Sequence, residues 1–251
     1  MLAIFLKTLP FFALIGLGWG AGKLRFFPPE ATAWLTKFVF YFALSAMLFR
    51  FSATLSLGEL FNASFVLAYL SGTALVWAIG MAAARARRLP LAEAAMEAHT
   101  CMIGNTGFLG VPMLVVLLGP AAVGPVLMVL SIDLIVFSSL VTLLLTGARH
   151  GRVSVTMFAA LGMGLLKNPM IMSMVAGLAW AGFHVPMPAP VMEFVTILGA
   201  AATPGALFAI GASLAPRSAE RIRPALWLSF AKLALHPAAV AVMSLFVFRV
   251  D

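Results

Sequence analysis

Gly104-Asn105-Thr106-Gly107-Phe108-Leu109-Gly110-Val111-Pro112 interrupts an apolar run that extends from about position 94 to 118. Three glycines, an asparagine and a proline within nine residues make a poor continuous helix. In hydrocarbon, backbone groups freed from helical hydrogen bonds are tolerated only where they pack in protein or line a cavity. The stretch therefore predicts two half-helices meeting near the midplane of a bilayer. Pro112 falls in the first turn of the outer half, where its missing N–H costs nothing. That half then points its positive N-terminal end at the membrane centre, where a carboxylate is favoured. Asn105 offers an amide N–H to the same anion, and Thr106, Gly107, Gly110 and Pro112 complete the candidate substrate-binding motif. Glycines at such spacing also serve close helix–helix packing. The asparagine and proline turn the reading toward a site.

The composition agrees with a membrane setting. Hydrophobic residues make up 63% of the 251-residue chain, against roughly 45–50% in soluble proteins. Charged residues are 10%, where about 25% is usual, and the mean hydropathy is +1.09. The chain reads as an all-α integral membrane protein. A soluble enzyme, a DNA-binding domain and a secreted disulfide scaffold are excluded, and the single cysteine, Cys101, can form no internal bridge. A span needs about 20 apolar residues. Eight candidates lie near 2–22, 32–49, 62–84, 94–118, 122–146, 168–184, 191–214 and 225–247. The apolar stretch 153–166 is short and is expected to lie along the interface. The first segment is a retained helix rather than a signal peptide, since Lys7 sits inside the run and no A-x-A site follows.

The net charge of +8 has a topological cause and implies no nucleic acid. Lys23, Arg25, Arg85, Arg87, Arg88, Arg149, Arg152, Lys167, Arg217, Arg221 and Arg223 all fall on one side of the eight spans. Only Arg50 and Arg249 fall on the other, and Lys7, Lys37 and Lys232 lie within spans. Positive residues favour the cytoplasmic side, so both termini are expected outside.

The chain also matches itself. At an offset of 159 residues, 10–55 aligns without gaps onto 169–214, with eight identities in 46 positions. Pro10 meets Pro169, Gly18 meets Gly177, Pro29 meets Pro188, and Leu48-Phe49 meets Leu207-Phe208. Span one runs inward and span six runs outward, so the copies are inverted, as in many secondary transporters. The expected division is a five-span repeat over 1–152 and an incomplete inverted second repeat over 153–251. In that division the second copy lacks counterparts of spans four and five.

Several stretches resemble the auxin efflux carrier family. They are Leu9-Pro10-Phe11-Phe12, Gly16, Gly18, Gly22, the aromatic run at 40–49, and Gly104-Asn105-x-Gly107-x-x-Gly110-x-Pro112. Lys167-Asn168-Pro169 and the stretch 204–214 belong with them, so the resemblance covers the whole chain. It implies ten helices in two inverted five-helix repeats, related to the bile acid:sodium symporters. It also implies that the motif at 104–112 is the crossover of a discontinuous helix whose Asn105 contacts a substrate carboxylate. Bacterial relatives are regarded as carriers of malate, malonate and similar anions, which places the chain in a bacterial inner (plasma) membrane. Two departures stand out. Ser45 occupies a place where the family usually has proline, although Pro204 fills the matching place in the second copy. The second crossover is not found, and a homodimer is one way to supply the missing wall.

Asp133 lies about 17 Å into span five at 1.5 Å per residue. An intramembrane carboxylate is by default a functional candidate. It is read either as a proton or charge relay with Lys232 and His236, or as a structural partner of Lys232, Ser131 or Ser138. Glu93 and Glu97, with Arg85–Arg88 nearby, read as the favourable start of span four. No P-loop, G-x-S-x-G or H-E-x-x-H motif is present. Neither enzymatic activity, nor a cofactor, nor a metal is expected. Two functions stay open from the residues: a secondary carrier exporting or exchanging small organic anions, and a truncated, non-transporting remnant that only packs or assembles with partners in the bilayer.

Overall fold

The computed structural model describes residues 2–55, 62–150, 155–217 and 222–250, and every regular element in them is helical. Arg152 and Arg221 lie outside the described residues. Helix α1 (Leu2–Lys23) precedes α2 (Pro29–Ala53), α3 (Ala63–Ala86), α4 (Leu91–Met102) and α5 (Val111–Leu118). Then follow α6 (Pro120–Arg149), α7 (Val155–Leu166), α8 (Pro169–Gly182), α9 (Ala189–Leu214) and α10 (Ile222–Val247). Among the described residues, seven helices are long and apolar enough to cross a membrane, counting Leu91–Leu118 as one, and eight if Met157–Leu166 with Pro169–Gly182 forms a broken span, bent by 61°. Seven of the eight expected spans are thus single helices; the sixth reaches that length only together with the stretch expected along the interface. Alone, the 14 residues of α8 reach only about 21 Å.

Local chemistry explains where these helices begin and bend. Asn168 caps α8: its Oδ1 accepts from the Met170 and Ile171 N–H groups at 2.9 and 3.4 Å, and Pro169 takes the first position. Asn62 caps α3 through the Phe65 N–H at 2.9 Å. Wide π turns interrupt α2 at Val39–Ala43, α6 at Asp133–Phe137, and α10 at Ala231–Leu235 and Met243–Val247. Hydroxyls assist two of them. Ser45 donates to the Phe40 carbonyl at 3.1 Å and Ser138 to the Asp133 carbonyl at 2.9 Å. Thus Ser45, at the place where the resemblance leads one to expect proline, stands just past a π turn.

The chain divides into two compact units that draw on both halves of the sequence. Residues 1–60, 105–127 and 167–218 form one. In it, α1 packs along the Ala202–Leu214 part of α9, and α8 packs along the Leu44–Ala53 part of α2. Leu44, Leu48 and Leu207 are fully buried there. Hydrophobicity alone does not join helices in lipid, so close approach must supply packing. Gly18 and Gly22 admit the backbone of α9 at Phe208 and Ala212, while Gly177 admits α2 at Phe49 and Ala53.

The other unit comprises residues 61–104, 128–166 and 219–251. Its core joins Tyr69, Val76, Cys101, Met102, Ile132, Phe137 and Ala231. Gly80 lets α3 close on Ala98 and Cys101 of α4, and Gly72 lets it close on Val240 of α10.

Candidate functional site

Helix α4 ends at Met102, where Ile103 turns extended (φ −80°, ψ 123°). The chain then re-enters helical structure through a π turn at Thr106–Gly110 that runs directly into α5. Asn105 is the N-cap of that turn. Its Oδ1 accepts the Phe108 N–H at 3.2 Å, and its backbone carbonyl accepts from Leu109 at 3.1 Å and Gly110 at 2.9 Å. Helical structure therefore resumes at Thr106, as a π turn ahead of α5. Pro112 takes the second position of α5 and so lies in its first turn, as expected. There its fixed φ suits the helix and its missing N–H costs nothing.

This arrangement leaves a specific chemical resource. Capping uses the oxygen of the Asn105 side chain, so its amide N–H₂ remains directed elsewhere. Asn105 is exposed, as is Gly104, whereas Gly107, Val111 and Pro112 are buried. The start of the turn carries the backbone N–H groups that no helical carbonyl can reach. Packing does not demand glycine at two of these positions. A Cβ on Gly104 would meet nothing within 4 Å, and one on Gly110 would find its nearest neighbour, the Asn105 carbonyl, at 3.6 Å.

The second unit holds a separate polar chain inside the apolar spans. Asp133 is 4% exposed, and its Oδ1 accepts the Tyr69 hydroxyl at 2.7 Å. One helical turn along α3, Thr73 is fully buried, with its Oγ1 2.9 Å from His236 Nε2. The Tyr69 and His236 rings meet edge to face at 5.8 Å between centroids. Lys232 lies one turn before His236 and within electrostatic range of it, of His99 and of Cys101. So the three residues singled out by sequence fall in one unit, where Tyr69 bonds to Asp133, Thr73 bonds to His236, and the Tyr69 ring touches that of His236. Sequence reasoning missed Tyr69 and Thr73. The available signal was a pair of polar residues four apart on one face of an otherwise apolar span.

Asp133 opens the π turn of α6 and Lys232 lies within that of α10. Such turns often mark functional positions. At the start of α4, Glu93 sits in the first turn as expected, while Glu97 pairs with Arg87 at 2.7 Å. No group of three metal-ligating side chains occurs among the described residues.

Comparison with known proteins adds an independent finding. Residues 3–249 match the family described as membrane transport protein. The chain is also 34% identical over 249 residues to a protein of Rhizobium meliloti named "Putative malonate transporter". The match covers 92% of this chain and 73% of that protein.

Proposed function

The chain belongs to the membrane transport protein family, that of the auxin efflux carriers, and from that premise we propose that it is a secondary carrier of small dicarboxylates such as malonate. The observation that carries this reading is the capped break at Asn105. Its side-chain oxygen is committed to Phe108 and its amide is free to donate, next to a helix N-terminus within a membrane span. The name of the Rhizobium meliloti relative supports malonate as the first substrate to test. In this reading Asn105, Thr106, Gly107, Gly110 and Pro112 bind the anion, and the Asp133–Tyr69–Thr73–His236 chain, with Lys232, moves the compensating charge. The repeats 1–152 and 153–251 supply alternating access, with both termini outside the inner membrane.

Uptake of radiolabelled malonate by proteoliposomes tests the site. Asn105→Asp keeps the capping oxygen and removes the amide donor. It should weaken malonate by at least about 1.5–3 kcal/mol, the range for a hydrogen bond to a charged group, with the new carboxylate repelling the anion further, while leaving thermal stability near wild type. Unchanged affinity would remove Asn105 from the site, and absence of saturable malonate uptake by the unaltered protein would overturn the substrate.

A further inference from the structure

Two cavities in the first unit are related by the same 159-residue offset that relates the two halves of the sequence. The larger, about 910 Å³, lies where α1 and α9 end and α2 begins. The smaller, about 490 Å³, lies where α2 and α8 end and α9 begins, at the opposite end of α2. Gly22, Arg25 and Phe27 in the larger correspond to Ala181, His184 and Pro186 in the smaller, and Ala212 and Ser213 to Ala53 and Thr54. The backbone repeats as well. Arg25 and His184 are corresponding residues, and both take the left-handed conformation, at φ 57° and 53°.

The two cavities differ in charge. Lys23, Arg25 and Arg217 all line the larger. Their counterparts in the sequence are Gly182, His184 and Gly58, the last outside the described residues. An equivalent architecture has thus received three cations at one end and none that is permanently charged at the other. Among the described residues, no carboxylate lines the larger cavity. Glu30, in the first turn of α2, is exposed and outside the lining.

We propose that the larger cavity binds the headgroup of an anionic phospholipid of the inner leaflet, with Lys23, Arg25 and Arg217 around its phosphate. The leaflet assignment rests on the orientation proposed above; the binding does not. The cavity sits at span ends, where headgroups lie, and Trp19 stands beside Lys23, its ring 5.8 Å from the ammonium, as interfacial aromatics do. Phe27, Pro28 and Ala33 give it an apolar wall, and Leu24 and Phe26 on the same turn are more than four-fifths exposed. That combination suits an amphiphile whose acyl chains cover apolar surface while its phosphate meets cations. Basic pockets between spans on the cytoplasmic side bind such lipids in general. Topology alone explains why the loop cations lie on one side, but not why three of them converge on one cavity.

Native mass spectrometry of the detergent-purified protein, titrated with phosphatidylglycerol or phosphatidylcholine, tests the proposal. The unaltered protein should show one phosphatidylglycerol bound well above the phosphatidylcholine background. Lys23→Gln, Arg25→Asn and Arg217→Gln together should weaken it on the order of tenfold or more, given the contribution of each cation near a headgroup; asparagine is chosen because it tolerates the left-handed backbone. Arg88→Asn, Arg149→Gln and Lys167→Gln together remove equal charge from the same side and should change binding less than about twofold. Gly182→Lys with His184→Arg should create a second phosphatidylglycerol site in the smaller cavity, a gain that does not depend on how well the triple variant folds. Equal losses in both triple variants, or no second site, would overturn the proposal. Displacement of phosphatidylglycerol by millimolar malonate or inorganic phosphate would assign the cavity to soluble anions and overturn it likewise. Binding in detergent is indifferent to orientation and to transport, so failure here leaves the carrier reading intact.

Discussion

The backbone carbonyl of Phe208 occupies the space in which a Cβ on Gly18 would lie. At the position 159 residues further on, the carbonyl of Phe49 blocks Gly177 in the same way. Thus α1 packs on α9, and α8 on α2. Contacts on Gly18 and Gly22 advance along α9 from Phe208 to Ala212, so the paired helices run parallel. The exchange is reciprocal, and it rests on glycine because only glycine lets two backbones approach this closely in lipid.

That closeness predicts an unequal response to a single methyl group. Gly18→Ala and Gly177→Ala should each destabilise the protein by about 1–3 kcal/mol, the range for overpacking. Gly16→Ala is the control, because a Cβ there meets nothing within 4 Å. It should be neutral or stabilising by up to about 1 kcal/mol through helix propensity. Thermal unfolding in mild detergent reads all three, and similar melting temperatures throughout would mean the α1–α9 contact is loose.

Most of the fold is legible in the sequence because the bilayer leaves few alternatives. Apolar length places the spans, and the proline–glycine pattern at 104–112 places the break. The site was less legible. Asn105 was seen as a donor, but its second role as the cap that starts the outer half-helix depends on a π turn, which has no simple sequence signature. Tyr69 and Thr73 escaped notice because each alone resembles an ordinary polar residue in a span; only the packing of α3, α6 and α10 shows what they connect.

The proposed orientation rests on the eleven basic residues on one side of the expected spans against two on the other. Reporter fusions after Arg88 and after Gly151 should both score cytoplasmic, and a fusion after Arg249 should score periplasmic. A periplasmic signal at either of the first two positions would contradict the inward placement of the basic loops.

The Tyr69–Asp133 hydrogen bond yields a prediction that separates a charge relay from a structural clasp. Tyr69→Phe removes the hydroxyl that Asp133 accepts at 2.7 Å. Leaving a buried acceptor short of a donor costs about 1–3 kcal/mol, more for a charged group, so the variant should unfold more easily. Asp133→Asn keeps an acceptor oxygen for Tyr69 and should cost less. In the double variant the two effects should fall short of additivity by about 0.5–3 kcal/mol, as for residues in direct contact. Those values establish the clasp, and transport then tests the relay. If Asp133 carries the coupling charge, Asp133→Asn should abolish the pH dependence of malonate uptake while the protein stays folded. Thr73→Val should do the same, because it cuts the path to His236 without touching a titratable group. Uptake that keeps its full pH dependence in both variants would restrict Tyr69, Thr73 and Asp133 to holding α3 and α6 together.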